Sequence, residues 1–140
     1  MGEKSLTFPD RGGLHHLPAT RRSAVELAAK KLHYSHRQLA IHQGMDIEAV
    51  LALIGEVLHF PNWYGANFDA LYDCLTDPEC LPGKDNILTI DGCEHMLTSD
   101  PVGYATLLEV FAAAIDDLRK TGVSLWVLLD NPAPGIRTLT

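Results

Sequence analysis

The sequence predicts a small α/β domain in which a three-stranded parallel sheet is packed by helices and preceded by a helical extension. Three apolar segments indicate strands, at residues 39–41, 87–90 and 123–129, and helical periodicity fills the chain between them. Because long helical crossovers separate these strands, they are expected to pair in parallel with right-handed connections. The chain of 140 residues, 46% of them apolar, suffices for one packed domain.

The first part of the chain is predicted to be an extension of that domain. Proline and glycine residues punctuate residues 1–20 without an apolar period, which indicates a flexible arm. Residues 21–34 carry apolar side chains at helical spacing and predict a short helix. We therefore divide the chain into a basic arm with a short helix, residues 1–37, and a main domain, residues 38–140.

Capping signals locate three helices in the main domain. Asp46 stands at an N-cap position before apolar residues at helical spacing, and a second helix is expected to begin near Asn67. A third begins at Asp100, a capping residue followed by Pro101 at the first helical position. Gly122 is typical of the residue that closes such a helix.

Charge is distributed unevenly along the chain. Residues 1–37 hold seven Lys/Arg and three Asp/Glu, whereas residues 38–140 hold four Lys/Arg and fifteen Asp/Glu. An acidic main domain disfavours nucleic acid and favours a cationic partner. The basic extension could fold back onto this acidic domain, or bind an acidic partner or nucleic acid.

Membrane and secreted disulfide-rich classes are disfavoured. No apolar run reaches the roughly 18–20 residues of a membrane helix, and the N-terminus has no apolar stretch of signal-peptide length. Three cysteines without a CxxC pair indicate reduced thiols in a cytoplasmic protein. Two sets of side chains suggest a metal but lack the paired short spacings of a structural zinc site: His33, His36 and His42, and Cys80, Cys93 and His95. We expect no metal and no cofactor.

One predicted helix places two carboxylates on the same face. Asp69 and Asp73 are four residues apart, which sets their Cβ atoms about 5–6 Å apart on a helix. Three neighbours border this face: Trp63, Asn67 and Tyr72. The spacing alone allows a solvated acidic face, a general acid–base pair, or a surface for a cationic partner.

This segment carries a family resemblance. Residues 61–76, Pro-Asn-Trp-Tyr-Gly-Ala-Asn-Phe-Asp-Ala-Leu-Tyr-Asp-Cys-Leu-Thr, resemble the signature helix of the barstar family, cytoplasmic inhibitors of secreted bacterial ribonucleases. The resemblance extends more loosely over residues 38–130. It implies a barstar-like fold and an intracellular inhibitor, monomeric when free, that is not an enzyme. Its acidic helix would cover the cationic active site of a basic ribonuclease, barnase-like or related, and exclude RNA.

The resemblance also implies which residues bind the partner. Asp73 would be the central carboxylate, paired with Arg and Lys of the enzyme, and Asp69 the second. The complete implied set is Trp63, Asn67, Asp69, Tyr72, Asp73 and Thr76. The alternative is an immunity or binding protein for a different cationic toxin or enzyme.

Overall fold

The computed structural model describes residue 8, residues 11–81 and residues 83–139, which form a parallel sheet with helices on both faces. The strands are β1 (Gly13–His16), β2 (Ser35–Ala40), β3 (Asp85–Asp91), β4 (Ser124–Leu129) and β5 (Arg137–Thr138). The helices are α1 (Arg22–Leu32), α2 (Ile47–Val57), α3 (Phe68–Leu75), α4 (Cys93–Ser99) and α5 (Pro101–Lys120).

The sheet has five strands in the order β2-β3-β4-β1-β5, and every neighbouring pair is parallel. The predicted α/β class with parallel pairing is confirmed, and the three predicted strands correspond to β2, β3 and β4. The number of strands was underestimated. β1 lies within the predicted flexible arm, and it pairs with β4 from Gly13 opposite Trp126 to His16 opposite Leu129. The arm residues 1–7, 9 and 10 lie outside the described residues.

β4 is the most deeply buried strand because each of its faces contributes to a separate core. All six of its residues are buried. Leu125, Val127 and Leu129 face the larger core, which α2, α3, α4 and α5 cover. Trp126 and Leu128 face a smaller core beneath α1. A strand buried on both faces reads as a nearly continuous apolar run, which is why the sequence located β4 so well.

Three predicted helix starts are confirmed at atomic detail. The Oδ1 atoms of Asp46, Asn67 and Asp100 each accept a hydrogen bond from the backbone N–H three residues later, at 2.8, 2.7 and 2.9 Å. These bonds satisfy N–H groups that the first turn of a helix leaves without a partner. At the end of α5, Gly122 has a φ of +80°, the left-handed conformation that glycine adopts without steric cost.

Helix α4 was not predicted, because its N-terminus is satisfied by a residue distant in sequence. The Asp130 carboxylate accepts hydrogen bonds from the N–H groups of Gly92 at 2.7 Å and Cys93 at 3.1 Å. Gly92 itself has a φ of +80°, and a Cβ atom there would collide with the carbonyl oxygen of Ile41. The local sequence therefore shows no capping side chain at this helix start.

The extension is joined to the rest of the fold by strand pairing, by side-chain hydrogen bonds and by packing. The predicted boundary between residues 37 and 38 falls inside β2. Arg22 of α1 donates two hydrogen bonds to the Asp91 carboxylate at the end of β3, at 2.6 and 2.8 Å. On the same face Trp126 stacks on Tyr34, with ring centroids 5.5 Å apart. That residues 38–140 hold the whole functional surface stays a prediction.

The end of α1 offers a test of backbone conformation. His33 follows α1 with a φ of +61° and is exposed. A left-handed backbone costs an L-residue about 1–2 kcal/mol, and glycine avoids this cost. Glycine also loses more conformational entropy on folding, which cancels part of the gain. We expect His33→Gly to raise the free energy of unfolding by about 0.5–1 kcal/mol in urea titrations.

Lys30→Gly is the matched control, because Lys30 is also exposed but lies inside α1. It should lower the free energy of unfolding by about 0.5–1 kcal/mol, the helix-propensity cost of glycine. Equal destabilisation by both substitutions would show that the left-handed residue carries no strain.

Candidate protein-interaction site

The orientation of α3 is set by three side chains of its inner face. Leu71, Cys74 and Leu75 are completely buried. Because a helix repeats every 3.6 residues, this burial turns Asp69 and Asp73 outward, and both are exposed. The predicted pair of carboxylates on one helix face is therefore present in the structure.

The N-terminus of α3 is fixed by the Asn67 side chain and by the left-handed backbone of Ala66 before it. Asn67 Oδ1 caps the helix through Ala70 N–H at 2.7 Å. Ala66 has a φ of +53°, so the chain turns sharply into the helix. Asp69 lies in the first turn, where the partial positive charge of the helix N-terminus favours a carboxylate.

Tyr72 and Thr76, in the C-terminal part of the predicted site, also make contacts within the protein itself. Thr76 Oγ1 donates a hydrogen bond to the Tyr72 carbonyl at 2.8 Å and is the C-cap residue of α3. Tyr72 is half-buried and packs against the larger core. Both side chains thus keep only part of their surface free to meet another molecule.

Trp63 lies in the loop between α2 and α3, and 59% of its surface is exposed. An exposed tryptophan beside a carboxylate-bearing helix face is typical of a protein-binding surface, where aromatic side chains supply contact area. The structure thus brings all six predicted residues into one loop–helix segment. Their binding roles stay predictions.

The acidic face carries unneutralised charge. Among the described residues, the ion pairs within 4.0 Å involve Arg22, Arg119 and Lys120, and none of them includes Asp69 or Asp73. Carboxylates held without a cationic neighbour can accept charge-assisted hydrogen bonds from Arg or Lys of another molecule. The arrangement suits capture of a cation-rich surface.

The position of Asp69 and Asp73 favours a binding surface over a general acid–base pair. Two clefts in the described part of the structure lie elsewhere: one between β2, β3 and the loop before β3, and one between α2 and residues 59–66. Neither cleft is lined by Asp69 or Asp73. A general acid–base pair needs a substrate held within hydrogen-bond reach, and neither of these clefts would hold one beside the exposed Asp69 and Asp73.

The cysteine and histidine candidates are dispersed in the fold. All three cysteines are free and buried, and burial raises the pKa of the Cys74 and Cys93 thiols to about 12. His36 Nε2 lies 3.3 Å from Thr89 Oγ1, and burial lowers its pKa. Within the described ranges, no group of three or more His, Cys, Asp or Glu side chains is arranged to hold a metal ion.

One contact near the site was not anticipated from the sequence. Tyr64 packs its ring against Gly55 of α2 and donates a hydrogen bond to the Leu51 carbonyl at 2.7 Å. The available signal was Gly55 itself, because glycine inside a helix costs about 1 kcal/mol relative to alanine and therefore suggests a packing role.

In the described part of the chain, no helix is both long and apolar enough to cross a bilayer.

Comparison with known proteins assigns this chain to a family. No curated protein matches the sequence. The family described as Barstar (barnase inhibitor) matches residues 34–130, which include β2, β3, β4 and the entire candidate site. Because the match covers more than half of the chain, the protein belongs to the Barstar (barnase inhibitor) family.

Proposed function

We propose that this protein is an intracellular inhibitor of a basic bacterial ribonuclease, barnase-like or related, which it blocks with the exposed face of α3. The observation that carries the proposal is the pair Asp69 and Asp73, exposed, four residues apart and without an ion-pair partner among the described residues. Membership of a family of barnase inhibitors implies a ribonuclease partner in general. The protein acts without catalysis or a cofactor.

The proposed mechanism is electrostatic and steric. A ribonuclease active site holds phosphate and is therefore rich in Arg and Lys side chains, and carboxylates can take the place of the phosphate there. Asp73 enters this pocket as the central carboxylate, and Asp69 pairs at its edge. Trp63 and Asn67 pack beside the rim of the active site, and Tyr72 and Thr76 make the remaining contacts along the helix and at its end. The covered active site excludes RNA.

The distribution of charge over the fold supports this mechanism. α3 belongs to the layer that covers the larger core, whereas α1 covers the smaller core on the opposite face of the sheet. The exposed Lys30 and Lys31 of α1 are therefore held away from the acidic face. Residues 38–140 carry every proposed contact, and Lys30 and Lys31 lie on the other side of the sheet.

The central role of Asp73 predicts a large loss of inhibition on its removal. Losing one partner of a buried interfacial charge pair costs on the order of 2–5 kcal/mol. This range is based in part on the barnase–barstar complex, the type complex of this family, so the magnitude is not independent of the family. We expect Asp73→Ala to weaken inhibition of barnase-catalysed RNA cleavage by at least about thirtyfold, roughly 2 kcal/mol, with little change in melting temperature.

Glu26→Ala is the matched control for Asp73→Ala. Glu26 is an exposed carboxylate of α1, on the other face of the sheet, so its removal changes the net charge equally. It should leave inhibition within about twofold of wild type, since exposed charges far from an interface contribute little. A shift of less than about tenfold for Asp73→Ala, or equal shifts for both variants, would remove Asp73 from the central position.

Asn67 combines a cap with a proposed contact, and two substitutions separate these roles. Serine caps a helix about as well as asparagine, so Asn67→Ser should leave the free energy of unfolding unchanged within about 0.5 kcal/mol. If the amide contacts the enzyme, the same variant weakens inhibition about 2- to 10-fold, the value of one hydrogen bond.

Asn67→Ala removes both roles and should additionally lower the free energy of unfolding by about 1 kcal/mol. Urea titration measures the cap, and inhibition of RNA cleavage measures the contact. Wild-type inhibition by Asn67→Ser would restrict Asn67 to its capping role.

Electrostatic attraction predicts that association depends on salt. The Debye length falls from about 30 Å at 0.01 M to about 10 Å at 0.1 M ionic strength, which screens the acidic face from a cationic enzyme. In stopped-flow measurements with barnase, the association rate should fall clearly over this range, while the dissociation rate changes much less. An association rate independent of salt would contradict electrostatic capture.

A further inference from the structure

The loop that carries Trp63 has a conformation that needs external support. It joins α2 to α3 and contains two non-glycine residues with left-handed backbones, His59 at φ +57° and Ala66 at φ +53°. Such residues are held in place only where surrounding contacts determine their conformation. Contacts from the loop to the rest of the fold therefore decide where Trp63 and the start of α3 lie.

Tyr64 makes two contacts of this kind, one through its hydroxyl and one through its ring. Its hydroxyl donates to the carbonyl of Leu51, a residue of α2, at 2.7 Å. Its ring lies so close to Gly55 that a Cβ atom there would come within 2.6 Å of two ring carbons. Within the loop, Phe60 packs edge-on against the same ring, with centroids 4.9 Å apart. The backbone N–H of Tyr64 also bonds to the Pro61 carbonyl at 3.0 Å.

The Tyr64 hydroxyl remains a hydrogen-bond donor near neutral pH. Burial raises the pKa of its hydroxyl to about 12, so the group stays protonated and remains a donor. The Leu51 carbonyl can accept this bond in addition to its helical one, because a carbonyl oxygen has two lone pairs. The side chain is thus held by a hydrogen bond at its tip and by packing along its ring.

We infer that Tyr64 is a positioning residue for the partner-binding surface, which holds the Trp63 loop against α2 in its binding conformation before the enzyme arrives. This inference rests on the proposed function. Neighbouring Trp63 is exposed, so it meets the enzyme while Tyr64 faces inward. A loop ordered in advance loses less conformational freedom on binding, which tightens the complex without adding a contact.

Two substitutions test the inference from opposite sides of the contact. Tyr64→Phe removes the hydroxyl and keeps the ring. Gly55→Ala leaves Tyr64 intact but forces its ring away from α2, although alanine would otherwise stabilise a helix interior. Tyr34→Phe is the control, because Tyr34 packs on Trp126 at the other face of the sheet.

The first readout needs no partner. In ¹⁵N-labelled protein, the heteronuclear NOE of the Trp63 indole and of the amides of residues 62–66 should fall in Tyr64→Phe and Gly55→Ala. The buried Trp126 indole is the internal reference. Tyr34→Phe should keep wild-type values for residues 62–66. Unchanged values for these residues in all variants would overturn the inference, even if the melting temperature falls.

The second readout is inhibition of barnase at a temperature where every variant is fully folded. Both loop variants should weaken inhibition about 3- to 10-fold, and Tyr34→Phe should not change it. Wild-type inhibition by both loop variants would overturn the inference, because a residue needed only for stability has no effect on binding by folded protein. If the wild-type protein does not inhibit barnase, the proposed function fails for this enzyme, and the NOE contrast still decides the role of Tyr64.

Discussion

The burial of one face of α3 is the constraint on which the candidate site depends. Leu71, Cys74 and Leu75 are completely buried, so the helix cannot rotate about its axis without exposing apolar surface. Burying one such side chain is worth about 1.5–3 kcal/mol. This free energy outweighs the few tenths of a kcal/mol by which two like charges at i and i+4 repel each other. The core therefore holds Asp69 and Asp73 at the surface.

The acidic site and the exposed lysines of α1 lie on opposite faces of the sheet. Helices α2 to α5 cover one face and carry the acidic site, whereas α1 covers the other face with exposed lysines. Arg22 is held in this arrangement by its paired hydrogen bonds to Asp91. The sheet and its cores thus lie between the pair Asp69 and Asp73 and the exposed Lys30 and Lys31 of α1.

Features encoded locally could be predicted from the sequence, and features made by distant residues could not. The buried run of β4 and the caps Asp46, Asn67 and Asp100 are local, and the structure contains each of them. β1 was missed because its four residues gain strand structure only by pairing with β4 and β5, which are distant in sequence. α4 was missed because its cap, Asp130, follows a later strand. The six site residues lie in one short segment, so their proximity could be predicted, but the attachment of Tyr64 to α2 could not.

The central claim is that the exposed face of α3 and the adjoining Trp63 loop form the surface that binds a ribonuclease. The most direct measurement is a titration of the ¹⁵N-labelled full chain with barnase, followed by amide and indole chemical shifts. We predict that the large shifts include the Trp63 indole and residues 67–76, and that the amides of α1 keep their free positions. Shifts concentrated on α1 and the edge of β2, or no shifts at all, would contradict this account.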